Sequence, residues 1–169
     1  MKRSSRSGFT LVEILIVVVI MGILAAIVVP QFSQSSDDAR ASSTTQNLQS
    51  MRSQVDLYRN QHEGRLPGST SDSDDDATFR DQLTLPTNES GTTGGFADTA
   101  FPYGPYIHNE VPANPFNSSR RVKNVGTFPA TAPGGNTPGD PGWIYERTSG
   151  RIRINKTGTT PDGATWWSL

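Results

Sequence analysis

The sequence predicts an α+β protein in which one long N-terminal helix precedes a small antiparallel β-sheet with long loops. Three observations support this fold class. The stretch from Ile14 to Val29 contains no polar side chain, apolar residues then recur at helical spacing, and two short segments near the C-terminus alternate with period two. Hydrophobic residues make up only 33% of the 169 residues. Because the apolar stretch takes many of them, the remainder can bury only a small core.

The apolar stretch and its flanks predict a membrane-spanning helix over residues 9–32. A helix of this length is about 36 Å long, which exceeds a hydrocarbon thickness of about 30 Å. Asp37 and Asp38 follow it, and basic residues precede it, so the N-terminus should be cytoplasmic and the remainder exterior. Pro30 lacks a backbone N–H and should kink the helix where it leaves the bilayer. The preceding basic residues are Lys2, Arg3 and Arg6.

The helix should continue as an amphipathic segment over residues 33–64. Apolar residues there follow spacings of three and four, which indicates one face packed on a head domain. Gly64 is the expected C-terminal stop, and Pro67 follows it. The histidine on this face is expected to pack or cap rather than to bind a ligand. The stripe consists of Leu48, Met51, Val55, Tyr58 and His62.

Residues 65–169 should form the exterior head. Its first loop carries aspartates at alternate positions, as a calcium loop does. However, Ala77 stands where the turn glycine belongs and Leu83 where the bidentate Glu belongs, so the loop is interpreted as solvated. Asp76 should cap a short helix from Ala77 to Leu83. The alternating aspartates are Asp72, Asp74 and Asp76.

Further along the head, four prolines between Phe101 and Asn117 exclude a helix or interior strand and predict an extended loop with aromatic anchors. Residues 143–155 predict a β-hairpin with Gly150 in its turn, in which Ile152 and Ile154 face one side and Trp143 and Tyr145 are candidate cross-strand partners. The sequence leaves the register of the two strands open. Trp166 and Trp167 are expected to pack as apolar side chains against the head.

Composition argues against several functional classes. The chain has no cysteine, which excludes disulfides and thiolate sites. Its two histidines, His62 and His108, lie far apart, with no nucleophile motif or phosphate loop, so no enzyme is predicted. Three of its 15 basic residues precede Phe9, whereas all 16 acidic residues follow it, so the exterior is acidic. Binding of nucleic acid is therefore not expected.

Three interpretations of the N-terminus compete. A secretory signal peptide would need a cleavage site such as Ala25-Ala26, but the A-x-A spacing is missing and Glu13 interrupts the apolar region. A plain transmembrane anchor agrees with the length and flanking charge. It does not explain Gly8 or Glu13.

The third interpretation explains both residues. Residues 1–8 form a basic leader ending in Gly8, and Phe9-Thr-Leu-Val-Glu13 and an aliphatic helix follow. This arrangement closely resembles the type IV prepilin signature. The resemblance implies that a prepilin peptidase cleaves between Gly8 and Phe9 and N-methylates the new Phe9 amine. It also implies that Glu13 of an incoming subunit neutralises the Phe9 amine of its neighbour.

Two further features of the helix bear on assembly. Gly22 and Ala26 form a small-xxx-small face, which permits close helix approach. The resemblance implies that the segment from Gly22 to Pro30 loosens in the assembled filament.

Two parts of the head resemble one subgroup of the type IV pilin-like family. The Pro-Tyr and Pro-x-Pro-Phe segments around Tyr103 and Phe116, and the hairpin, resemble the head of major pseudopilins of type II secretion systems. That resemblance implies a structural subunit of a pseudopilus that drives protein export from the inner membrane. The implied partners are further copies, the prepilin peptidase, minor pseudopilins, and the membrane platform with its ATPase. The alternative is a type IV pilus subunit for adhesion, motility or DNA uptake.

Major pseudopilins often bind calcium near their C-termini, where this chain offers the sparse pair Asp140 and Asp162. No cofactor is expected, and calcium at these two residues stays an open alternative.

Overall fold

A computed structural model describes residues 8–69, 76–134, 137 and 139–169 of the chain. The chain divides into two compact units between Ala39 and Arg40, which are described separately. The elements are α1 (Leu11–Gln61), α2 (Ala77–Thr84), β1 (Val122–Val125), β2 (Trp143–Glu146), β3 (Arg151–Ile154) and a short 3₁₀ helix (Trp166–Ser168). The α+β class is confirmed.

The N-terminal unit contains the apolar part of α1. Its large hydrophobic side chains are exposed, from 40% at Val28 to 84% at Phe9. Within the described residues, α1 is the one helix long and apolar enough to cross a membrane. The helix includes Pro30, and the kink expected there stays a prediction.

At its other end, α1 stops as the glycine signal predicted, with one difference. The N–H of Gly64 donates to the carbonyl of Arg59 over 2.9 Å, a bond typical of a Schellman motif. In that motif the left-handed residue lies one position earlier, and Glu63 has φ 55°. Gly64 is also left-handed, with φ 82°, so the chain reverses over two residues.

The predicted stripe on α1 is buried in the head. Leu48, Met51, Val55 and Tyr58 are each 1% exposed, and His62 is fully buried. The His62 ring stacks on Tyr58 with 3.7 Å between centroids. Its Nδ1 lies 2.8 Å from the Tyr58 carbonyl oxygen and its Nε2 lies 3.0 Å from the Thr87 hydroxyl. His62 therefore packs in the head, as predicted. Burial raises the pKa of Tyr58 to about 12.

This stripe should dominate the stability of the head. Leu48→Ala should lower the free energy of unfolding by about 2–5 kcal/mol, because truncation of a buried leucine leaves a cavity. Leu57 lies on the same helix but is 43% exposed, so Leu57→Ala should change it by less than about 0.5 kcal/mol. Denaturant unfolding of the detergent-solubilised protein, followed by tryptophan fluorescence, measures both. Equal losses would contradict this account of the core.

The small sheet has three strands in the order β1-β2-β3 and is mixed. The hairpin pair β2-β3 is antiparallel, but β1 pairs with β2 in parallel, with Val122 opposite Trp143. The prediction of an antiparallel sheet was therefore wrong for β1. The sequence of this strand is Val-Lys-Asn-Val, which is too short and too polar for a period of two to be recognised. It pairs with β2 in parallel because a long connection brings the chain back beside it.

The predicted hairpin is confirmed, and the structure gives the register that the sequence left open. Trp143 lies opposite Ile154 and Tyr145 opposite Ile152, and all four side chains are fully buried. Gly150 is in the turn with φ 76°. A Cβ there would lie 2.6 Å from a methyl carbon of Leu66, so the turn requires glycine for space as well as conformation.

The helix predicted from Ala77 to Leu83 is confirmed as α2, but its predicted cap was wrong. Asp76 occupies the N-cap position without a side-chain capping bond. Its carboxylate instead accepts a hydrogen bond from the N–H of Val122, at 3.3 Å. The preceding aspartates, Asp72 and Asp74, lie outside the described residues.

The proline-rich segment is a loop with aromatic anchors, as predicted. Tyr106 is 8% exposed, and its hydroxyl donates to the side-chain oxygen of Gln61 over 2.6 Å. The Pro112 carbonyl accepts a hydrogen bond from the indole N–H of Trp143 at 2.8 Å. Trp166 is 3% exposed and packs edge-on against Phe116.

Candidate processing and assembly site

The predicted cleavage position lies in an open stretch of chain before α1. Gly8 and Phe9 precede the helix, both are exposed, and neither belongs to a helix or strand. Among the described residues, no atom lies within 4 Å of a Cβ built on Gly8. An extended, unobstructed backbone is what a protease needs to bind the bond that it cleaves.

Thr10 and Glu13 close the first turn of the helix with a reciprocal set of hydrogen bonds. The backbone N–H and the hydroxyl of Thr10 each donate to Oε2 of Glu13 at 2.8 Å. The Glu13 N–H points back to the Thr10 hydroxyl at 3.3 Å. This is a capping box, which satisfies backbone donors that the helix start would otherwise leave unpaired.

Thr10 is a functional candidate that the sequence interpretation missed. The signal was present as Thr10-Leu-Val-Glu13, the T-x-x-E pattern directly before an apolar run. Glu13 thus has a local role at the start of the helix in addition to the pairing with an amine that the resemblance implies. The geometry therefore brings Glu13 together with Thr10, within one chain.

The other predicted assembly residues lie further along α1. Gly22 has open space around it, since no described atom lies within 4 Å of a Cβ built there. Pro30 lies eight residues later, about 12 Å along a helix. Phe9 precedes α1, whereas Glu13, Gly22 and Pro30 follow one another along it. All four residues are exposed, and they do not converge on one point.

The two aspartates considered for calcium are engaged locally. Thr137 donates to the Asp140 carboxylate through its backbone N–H at 3.3 Å and through its hydroxyl. The Thr160 hydroxyl donates to Asp162, and this bond lowers the pKa of that carboxyl. Across the described ranges, no three His, Cys, Asp or Glu side chains form a group that could hold a metal ion.

Comparison with known proteins bears on the N-terminal segment first. Residues 3–29 match the family described as "Prokaryotic N-terminal methylation motif". The chain carries a prepilin-type methylation motif. Gly8, Phe9, Thr10 and Glu13 all lie within the matched residues, as does the first part of the apolar helix.

The chain is also similar to proteins named type II secretion system core protein G. It is 44% identical to the one from Pseudomonas aeruginosa over 59 residues, 35% of this chain and 42% of that protein. It is 26% identical to the one from Aeromonas hydrophila over 128 residues, 76% of this chain and 80% of that protein. It is also 36% identical to "Prepilin peptidase-dependent protein A" of Clostridium perfringens over 56 residues, 33% of this chain and 40% of that protein.

The chain spans less than half the length of two of the relatives that it matches. Proteins named core protein G from Pseudomonas aeruginosa and Klebsiella michiganensis are each covered over 42% of their length. No solved structure matches the chain significantly. None of the three relatives described above has a name that denotes an enzymatic activity.

Proposed function

We propose that the chain is a major-type pseudopilin, a structural subunit of a type II secretion pseudopilus. The observation that carries the proposal is the methylation motif: an open Gly8–Phe9 bond directly before an apolar helix that contains one carboxylate, Glu13. A prepilin peptidase would cleave this bond, remove residues 1–8 and methylate the Phe9 amine. The name of one relative, prepilin peptidase-dependent protein A, supports cleavage, and the matched methylation motif supports methylation.

Cleavage would give Glu13 its partner. A carboxylate within a membrane helix costs roughly 2.5–3.5 kcal/mol at the bilayer centre and less near the ends. In the uncleaved chain Thr10 supplies two hydrogen bonds to one oxygen of Glu13. These bonds do not neutralise the charge, whereas the positive Phe9 amine of a neighbouring subunit would. The resulting pair would fix the axial register of the incoming subunit.

The apolar helix would supply most of the filament contact. Residues 9–32 expose an almost continuous hydrophobic surface, which is compatible with lipid and with a bundle of identical helices. When the helix moves from lipid into the bundle, its contacts with lipid chains are replaced by close packing on neighbouring helices. The move therefore costs little free energy. Gly22 would permit close approach of neighbours, and the stretch from Gly22 to Pro30 is the segment that we expect to loosen. Residues 33–64 would continue the helix into the head.

The distribution of charged residues would set the orientation of the chain in the membrane. The basic leader would hold the N-terminus in the cytoplasm, and residues 65–169 would lie in the periplasm. Subunits would wait in the bacterial inner membrane until a membrane platform and its ATPase add them to the filament. Minor pseudopilins would be further partners. Growth of the filament would drive folded proteins through the outer membrane.

A type IV pilus subunit is the second candidate, because the methylation motif serves that class equally. The match to core protein G over 76% of this chain favours the pseudopilin. Calcium is not part of the proposal, since Asp140 and Asp162 already accept hydrogen bonds from Thr137 and Thr160.

Deletion of the gene separates the two candidates. We expect loss of exoprotein release into the medium, with no loss of long surface fibres in electron micrographs. Restoration of release by a plasmid copy is the control. Normal release together with missing surface fibres would contradict the pseudopilin and support the pilus.

A further inference from the structure

Cations of the third strand lie over aromatic rings in the head. The guanidinium carbon of Arg153 lies 4.5 Å from the ring centre of Phe128 and 5.3 Å from that of Trp167. The guanidinium carbon of Arg151 lies 5.3 Å from the ring centre of Phe128. Phe128 and Trp167 contact each other edge-on, with 5.5 Å between their ring centres. Attraction between a cation and a ring holds the charged group in one place.

A second pair of cations lies over the ring of Phe116. The ammonium of Lys156 lies 4.4 Å from its centre, and the guanidinium carbon of Arg40, where the head unit begins, lies 5.9 Å from it. Lys156 is therefore at the same end of the head as Arg40. Phe116 also packs edge-on against Trp166, and the neighbouring Trp167 belongs to the first group of rings. The two groups thus form one continuous row.

Much of the positive charge in this row has no carboxylate beside it. Arg153 and Lys156 form no ion pair within the described part of the chain. Arg52 donates to a backbone carbonyl of β3 at 2.9 Å, and burial followed by the charge of Arg153 lowers its pKa. Arg151, by contrast, pairs with Glu146 at 2.8 Å. We call this surface the basic edge. It consists of Arg40, Arg52, Arg151, Arg153 and Lys156.

An exposed carboxylate lies on α1 two residues before the head unit begins. Asp38 follows the apolar stretch and is exposed. Among the residues that the structure describes, none donates a hydrogen bond to its carboxylate and no cation pairs with it. One chain therefore carries an unpaired carboxylate and, separately, cations without a counter-charge.

The pairing proposed for Glu13 determines how far successive copies are displaced in a filament. Where Glu13 of an incoming subunit lies level with the Phe9 amine of its neighbour, the incoming copy is shifted by four residues, about 6 Å along a helix. The same shift applies to every residue, because the copies are identical. Loosening of the segment from Gly22 to Pro30 would not alter it, since each copy loosens alike.

This displacement brings Asp38 of one copy to the level of the basic edge of later copies. A shift of four residues puts Asp38 level with Ser42 of the next copy, and three such shifts put it level with Ser50 of the third. These positions belong to one continuous helix. The cations of the basic edge adjoin the same part of α1, from Arg40 to Arg52.

We propose that Asp38 of one copy pairs with Lys156, in the basic edge of a copy added later to the filament. This inference rests on the proposed function, which aligns identical chains. Lys156 is the partner because it lies beside Arg40, at the level that Asp38 reaches first. Two different complementary surfaces form a heterologous contact, which propagates into open helical assemblies instead of closed pairs. The opposite charges would select the register, while the apolar helices supply most of the stability.

Anionic lipid headgroups are the competing partner for these cations, because the apolar helix anchors the chain in a membrane. Basic clusters that adjoin a membrane helix bind such headgroups. In this chain, however, Asp37 and Asp38 lie between the apolar stretch and Arg40. Their charge would repel anionic headgroups, whereas it attracts the basic edge of another copy. The distribution of charge therefore favours a second copy.

Cysteine cross-linking in the full-length protein tests the contact, because the chain has no native cysteine. Filaments carrying both Asp38→Cys and Lys156→Cys should give, after oxidation, a ladder of dimers, trimers and larger species on a non-reducing gel. Each single variant should give dimers at most. The matched control pairs Asp38→Cys with Arg59→Cys, which replaces an exposed cation of α1 outside the basic edge, and should give no ladder. Filaments that form without the Asp38–Lys156 ladder would overturn the inference.

Charge exchange gives a second readout, which does not depend on assembly of the cysteine variants. Lys156→Glu should lower filament yield, relative to mature protein, roughly fivefold, an effect of the size expected for about one exposed ion pair. Adding Asp38→Lys should restore the yield, whereas Arg59→Glu alone should change it little. Tryptophan emission of the Lys156→Glu variant checks that the head is folded, and Lys156→Gln replaces this variant if it is not.

The outcomes separate this contact from lipid binding and from the proposed function. An unchanged filament yield for Lys156→Glu would overturn the inference, as would a double variant that assembles no better than Lys156→Glu. Native mass spectrometry of the purified full-length protein measures retained phosphatidylglycerol. Loss of that lipid from Lys156→Glu with filament yield intact would assign the cations to lipid and overturn the inference. Absence of filaments from the unmodified protein would instead refute the proposed function.

Discussion

Gly8→Val should leave the protein at its precursor length and unassembled in the membrane. Gly8 is the last residue of the leader, and a side chain there would stand between the backbone and the peptidase. Misplacement of a scissile bond by about 1 Å can slow a reaction roughly a hundredfold. The uncleaved chain would lack the Phe9 amine, so no filament should form. A gel that resolves precursor from mature protein in whole cells measures the effect.

The matched control is Gly22→Val, which makes the same substitution in open space further along the helix. It should be cleaved normally, because Gly22 lies well inside α1 and away from the bond. Normal cleavage of the Gly8→Val variant would contradict the assignment of the processing site to the Gly8–Phe9 bond.

Glu13→Gln should be cleaved at Phe9 yet yield at least about tenfold fewer filaments. Loss of one member of a desolvated charge pair costs about 2–5 kcal/mol, which corresponds to this factor or more. Glutamine can still accept the capping bonds from Thr10, since a capping box accepts Glu or Gln. The substitution therefore removes charge while it preserves the start of the helix. Sheared filaments, quantified by immunoblot against total mature protein, give the yield.

Two further variants make the result specific. Glu13→Ala removes both charge and cap, and should be as defective as Glu13→Gln if pairing is what matters. Glu63→Gln neutralises an exposed carboxylate at the other end of α1 and should assemble normally. If Glu13→Gln assembled normally while Glu13→Ala failed, Glu13 would act as a cap and the pairing role would be wrong.

The sequence predicted those parts of the molecule where one pattern dominates. The spacing of the stripe from Leu48 to His62 predicted which face of α1 is buried, because helical geometry leaves no other face for it. The alternation in β2 and β3 likewise predicted the hairpin and its candidate partners, although not the register between the two strands. Glu13 was predicted to be functional because a carboxylate within an apolar helix costs free energy in the membrane unless it has a partner.

Other parts depend on contacts between distant segments, which no local pattern contains. The strand β1 pairs in parallel across a long connection, so its four residues carry no signal of their own. The same applies to Asp76. Its position predicted a hydrogen bond to the first turn of α2, but its carboxylate accepts one from the distant N–H of Val122 instead.

The central claim is that removal of the leader creates a positive amine that pairs with Glu13 of a neighbouring subunit. Intact-mass and peptide mass spectrometry of the protein purified from filaments tests the first half of that claim most directly. We predict a mature chain that begins at Phe9 and carries one methyl group on its terminal nitrogen. A chain that begins at any other residue would contradict the account, because the amine would no longer lie four residues from the carboxylate.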